Sequence, residues 1–243
     1  MSSLIFQTEE SQVLVATDTL ATSPDGRPFK FTTKAFIVPH LKLIIAGLGA
    51  GGFLGKWFIR INDNLVVQGI DHLDYHTPNV LASIWPGHKQ EHSVPDVTAT
   101  IYHFGFSEIT GLIHSFCYRS INNFRSEQIP YLMGVKPECA VPENCSLPGD
   151  LRRMMDDQRA IQASQPKEKR VYIGGEIQVH HLTKDGFQVH TVGRFEDYAR
   201  DETTIYDNFS VSRAQRSSYN PRPEPQTPPE PTRDPGEPFR RSG

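Results

Sequence analysis

The sequence lacks the features that would place it outside the cell or in a membrane. Only three cysteines, Cys117, Cys139 and Cys145, occur in 243 residues. Their number is odd and their spacing suits no metal site, so a disulfide framework is not expected and each thiol reads as structural. No stretch approaches the roughly 20 apolar residues that a spanning helix needs. The longest candidate, Leu41 to Leu54, is broken by Lys42 and four glycines. The start, Met1-Ser2-Ser3-Leu4, has neither a basic region nor an apolar run of signal-peptide length. A net charge of -3 gives no electrostatic case for nucleic acid or an anionic membrane. These absences lead us to expect a soluble, cytoplasmic protein with no nucleic-acid or membrane partner.

What is present divides unevenly. Residues 1–200 read as one globular domain and 201–243 as a polar tail. From Pro221 onward eight of 23 residues are proline, mixed with Glu, Arg, Thr and Gly. Such a segment buries too little apolar surface to offset its ordering entropy, so it is expected to be disordered. The body opens with strand signals at Leu4–Gln7 and Val13–Thr17, then at Lys34–Val38 and Lys42–Ala46. Ser23-Pro24-Asp25-Gly26 is a turn. Together these predict an N-terminal antiparallel sheet of about four strands. Apolar residues at 53, 54, 57, 58 and 61 repeat at a helical period. Thr77-Pro78 reads as the start of a second helix that Pro86-Gly87 stops near Trp85. Strands return at 97–106 and 111–118, a helix at 147–164, and a last hairpin spans 171–192 around Thr183-Lys184-Asp185-Gly186. Helices segregated from antiparallel strands indicate an α+β domain rather than a parallel βαβ fold.

One constellation carries chemistry. The small Ser2 favours removal of Met1, which would leave a free α-amine beside a hydroxyl. An α-amine with an ordinary pKa near 7.7–8.0 can take the hydroxyl proton itself. Such a site needs a cation to hold the amine pKa down, a carboxylate to orient that cation, and backbone N–H groups for the oxyanion. Asp18, Lys34 and Gly47 are the candidates, each at a strand end. His88 and His92 have the spacing of a helical metal pair, but Pro86-Gly87 interrupts the helix expected there, so no metal site is expected.

The run Val13-Leu14-Val15-Ala16-Thr17-Asp18-Thr19-Leu20-Ala21-Thr22 resembles the signature of proteasome β-subunits and the HslV-like peptidases. These are N-terminal-nucleophile (Ntn) hydrolases. Lys34 with its apolar strand, Ile44-Ile45-Ala46-Gly47-Leu48-Gly49-Ala50-Gly51-Gly52-Phe53, and Tyr172-Ile173-Gly174-Gly175 are similar to further motifs of that family. The resemblance implies a four-layer α/β/β/α sandwich with peptide or amide substrates and no cofactor. It also implies a homo-oligomer. By the same resemblance Ser2 is the nucleophile, Lys34 lowers the amine pKa, Asp18 orients Lys34, and the Gly47 N–H serves the oxyanion. Three departures stand against it: serine replaces the usual threonine, Arg170 and Ile173 occupy positions where the family supports its N-terminus with polar groups, and only Met133 to Pro137 remains of a glycine-serine segment. The alternatives are a catalytically inactive scaffold of the same fold and an adaptor working through its proline-rich tail.

Overall fold

The computed structural model describes residues 2–23, 25–92 and 96–216. The proline-rich stretch from 221 lies outside them. Strands β1 (Leu4–Thr8) and β2 (Gln12–Asp18) pair antiparallel, with Leu4 opposite Thr17. A short hairpin follows, β3 (Leu20–Thr22) and β4 (Pro28–Phe31). Then β5 (Ala35–Val38) pairs with β6 (Leu43–Gly49). Helices α1 (Phe53–Asn64) and α2 (Ile70–His92) precede β7 (Ala99–Phe106), β8 (Ile113–Arg119), β9 (Ser126–Gln128) and β10 (Met133–Lys136). The described chain ends with α3 (Leu151–Ala163), β11 (Glu176–Thr183), β12 (Gly186–Arg194) and α4 (Tyr198–Arg216). The result is α+β, with antiparallel pairing throughout the described sheets.

Two five-stranded sheets organise the molecule, in the orders β10-β1-β2-β11-β12 and β5-β6-β7-β8-β9. The four N-terminal strands expected in one sheet are therefore split. After Asp18 the chain makes the β3–β4 hairpin, in which the Gly26 N–H donates to the Ser23 carbonyl, and crosses to the second sheet. Apolar strand patterns specify pairing surfaces but do not say which sheet a strand joins. The inner strands β1, β2, β6, β7 and β8 send side chains to both faces into buried cores, whereas the edge strand β12 is largely exposed. On β6, Leu43 and Ile45 face α1 and α2 with Trp57, Leu73 and Trp85. Ile44 and Ala46, one residue out of phase, meet Leu4, Phe6 and Val15 of the first sheet. On β1 the intervening Ile5 joins Met154 and Met155 of α3.

The helices differ from expectation in instructive ways. Residues 65–67 do not extend α1, because Leu65 is already extended (φ -111, ψ 128). Helix α2 begins seven residues before Thr77 and passes through Pro78 and Pro86. Its start is capped from another segment: the Glu108 carboxylate accepts the N–H groups of Asp71 (3.1 Å) and His72 (2.7 Å). The Thr77 hydroxyl donates back to the Leu73 carbonyl instead of capping a new helix. Ile70, Leu73, Leu81 and Trp85 form the buried stripe. Its packing outweighs a cost of about 3 kcal/mol per interior proline. Helix α4 runs across residue 200, where the sequence reading sets the domain boundary, with Asp201 buried and Tyr198 stacked on Phe31 at 4.7 Å. No described helix is long and apolar enough to cross a membrane.

Two buried histidines tie stability to pH. His103 accepts the Trp57 indole N–H at 2.8 Å, and burial pushes its pKa down to about 3. His180 is pushed down to about 4, by burial first and by His190 second. Both titrate near 6.5 in an unfolded chain, which therefore binds more protons than the fold below that pH. Stability is complete above about 6.5 and is lost as pH falls toward 4 and then 3. The urea midpoint should drop across this window, and His103→Gln should flatten the drop. An equal slope in wild type and variant would contradict the assignment to His103.

Candidate active site

The strand register assembles the site. Because Leu4 lies opposite Thr17, Ser3 comes to the end of β2 beside Asp18. Asp18 is fully buried. Its Oδ1 accepts the Ser3 backbone N–H at 2.9 Å and the Lys34 ammonium at 2.8 Å, while Oδ2 accepts the Gly174 N–H at 3.1 Å. The Lys34 Nζ also donates to the Leu20 carbonyl at 2.6 Å. This couple links four separated segments: the N-terminus, the end of β2, the start of β5 and the residues leading into β11. Burial lowers the Lys34 pKa, and the Asp18 charge and hydrogen bond partly counter that. The cation is thus partly released from its usual strong preference for the protonated form.

Ser2, Lys34 and Gly47 line one cavity of about 300 Å³ between the β3–β4 hairpin and the glycine turn that opens α1. Asp18 lies behind Lys34, not in the cavity wall. The turn needs its glycines: Gly49 has φ +95, and a Cβ there would sit 2.0 Å from the Thr98 carbonyl oxygen. Gly52, at φ 81, caps α1. Since Ala35 pairs with Ala46, Gly47 falls opposite Lys34, and its N–H donates to the Lys34 carbonyl at 3.3 Å. That bond is long, and an oxyanion would have to share it. The structure thus brings the four residues singled out in sequence to one place, with Gly47 already engaged.

Sequence reasoning missed Gln158. This fully buried side chain on α3 accepts the Ser3 hydroxyl at 2.5 Å and donates to the Pro137 carbonyl. It occupies the i+7 place of a stripe whose other members are Leu151, Met154 and Met155. A polar residue in an apolar phase was the available signal. Neither Arg170 nor Ile173 supports the N-terminus. Arg170 donates to the Ala163 carbonyl at the end of α3 and to the Gln165 carbonyl beyond it, and Ile173 packs into the apolar core under that helix. The Gly174-Gly175 pair wraps Thr19 and Leu20, whose N–H groups both donate to the Gly174 carbonyl. Gly175 has φ +79, and a Cβ there would meet the Thr19 hydroxyl at 2.3 Å.

No protein-family model matches the chain, and no curated protein matches it in sequence. The fold does match solved structures. Anbu (ancestral beta-subunit) from Yersinia bercovieri aligns with a TM-score of 0.52 at 12% identity, over 91% of this chain and 99% of that one. An Anbu (Gly-1) mutant from Hyphomicrobium sp. strain MC1 gives 0.52 at 11%, over 92% and 100%. The helical assembly of the Anbu complex from Pseudomonas aeruginosa gives 0.53 at 13%, over 91% and 98%. These matches correct the resemblance drawn in sequence to proteasome β-subunits and HslV-like peptidases: the fold's solved counterparts here are Anbu proteins. At 11–13% identity the likeness carries the fold alone.

The couple's energetics are testable. Asp18→Asn leaves a buried ammonium without its counter-charge and should cost about 3–5 kcal/mol in urea unfolding. Lys34→Met in the Asp18→Asn background should recover part of that loss, because a neutral pair replaces an uncompensated charge. Additive losses in the double variant would contradict a direct couple.

Proposed function

We propose that the protein hydrolyses amide or peptide bonds, with Ser2 as nucleophile once Met1 has been removed. The reading is supported above all by one observation: Ser2, Lys34 and Gly47 line a common cavity, with Asp18 anchoring Lys34 behind it. In the proposed reaction the neutral α-amine of Ser2 takes the hydroxyl proton as Oγ attacks the substrate carbonyl carbon. The Gly47 N–H donates to the oxyanion. The C–N bond then breaks, the proton passes to the leaving amine, and water hydrolyses the Ser2 ester. Lys34 keeps the α-amine pKa low by charge repulsion, and Asp18 positions Lys34.

The three apolar cores, between α1–α2 and the second sheet, between the two sheets, and between the first sheet and α3, favour a four-layer α/β/β/α reading. The Anbu neighbour described as a helical assembly motivates a homo-oligomer for this chain too. Light scattering at a single-chain mass would contradict it. We place the work of the protein in the cytoplasm.

A catalytically silent scaffold of the same fold is the second reading. It is favoured by the Gly47 N–H already donating to the Lys34 carbonyl and by the apolar burial of Ile173. Intact mass with and without a serine-acylating probe separates the two. The hydrolase reading expects a chain lacking Met1, one added acyl group on Ser2, and no labelling of Ser2→Ala. A chain that keeps Met1, or labelling unchanged by Ser2→Ala, would overturn it.

A further inference from the structure

The charges around the Ser2 cavity are of one sign. Among the described residues that line it, Lys30 and Lys34 are the charged ones, and none is Asp or Glu. Lys34 is committed to Asp18 and the Leu20 carbonyl. Lys30 is not committed. It lies on β4 opposite Ala21, is exposed, and makes an aromatic contact with its neighbour Phe29 at 6.0 Å. Among the described residues no carboxylate pairs with it. The wall toward α1 and the second sheet is apolar, with Phe36, Leu54 and Ile101. An extended substrate therefore meets an apolar surface on one side and a single uncompensated ammonium on the hairpin rim.

We propose that Lys30 makes this a site for acidic peptides, with the substrate carboxylate held at the β4 rim while the scissile carbonyl lies at Ser2. The proposal rests on the hydrolase reading for the fate of the peptide, but not for its capture. A rim charge at an aqueous surface acts through a screened Coulomb term, so its effect is modest and depends on salt. Lys34 is offset by Asp18 and the Ser2 α-amine acts in its neutral form, so Lys30 supplies the charge at the rim, and among the described residues no carboxylate lines the cavity to oppose it.

The test uses three peptides of equal length, differing only in Glu, Gln or Lys beside the scissile bond. Their affinity is measured for Ser2→Ala, and kcat/KM for the wild-type chain. Glu should be preferred over Lys by about fivefold in both readouts at low salt. The gap should close at 1 M salt, where the screening length is about 3 Å. Lys30→Glu should invert the order. Equal affinities for the three peptides, a preference that survives 1 M salt, or an order unchanged by Lys30→Glu would overturn the proposal. Charge-ordered binding to Ser2→Ala without turnover by the wild type would uphold Lys30 and sink the hydrolase reading. Turnover without charge order would do the reverse.

Discussion

The buried couple of Asp18 and Lys34 is the interaction on which the rest depends. Two opposite charges in a nearly dry place are stable only when their remaining hydrogen-bonding capacity is met. Here Ser3, Gly174 and Leu20 supply those partners through backbone groups. The electrostatic need of one pair thereby fixes where the chain starts, where β2 ends and where the segment before β11 passes. Ser2 and Lys34 line the same cavity. A structural requirement and a chemical opportunity share their atoms.

Around this couple, layering supplies rigidity. Strands β1 and β6 each send alternate side chains into different cores, so neither can slip by one residue without exchanging its whole set of contacts. Register then delivers Ser3 to Asp18 and Gly47 to Lys34. The glycine turn before α1 and the Gly174-Gly175 pair let backbone approach where a Cβ would collide. Gln158 ties α3 to the N-terminal segment, so the helix under the first sheet positions the chain's beginning as well as covering a core.

Much of this was legible in the sequence, and the gaps have physical causes. Strands β1, β2, β5 and β6 and helix α1 follow from alternation and period, and Asp18 and Lys34 from their places at strand ends, whereas Gly47, expected just after its strand, lies inside β6. Sheet membership was not legible, since the β3–β4 hairpin that diverts the chain has only seven strand residues. The start of α2 was hidden because its cap, Glu108, lies 36 residues downstream of His72. Helix α4 reads as polar sequence, and its contact with β4 is set by tertiary packing such as the Phe31–Tyr198 stack. Gln158 could have been noticed as a polar member of an apolar stripe. The resemblance to proteasome β-subunits and HslV-like peptidases pointed to other proteins than the Anbu structures that the fold matches.

The central claim is that Ser2, once Met1 has been removed as we propose, carries its α-amine in the field of the Lys34 ammonium held by Asp18. The most direct measurement is an NMR titration of the α-amine in protein labelled at the Ser2 nitrogen, with Lys34→Met alongside. The account predicts a Ser2 α-amine titrating below the ordinary 7.7–8.0 range and returning toward it in Lys34→Met. A Ser2 amine with an ordinary pKa that Lys34→Met leaves unmoved, or a Ser2 nitrogen still bonded to Met1, would contradict it.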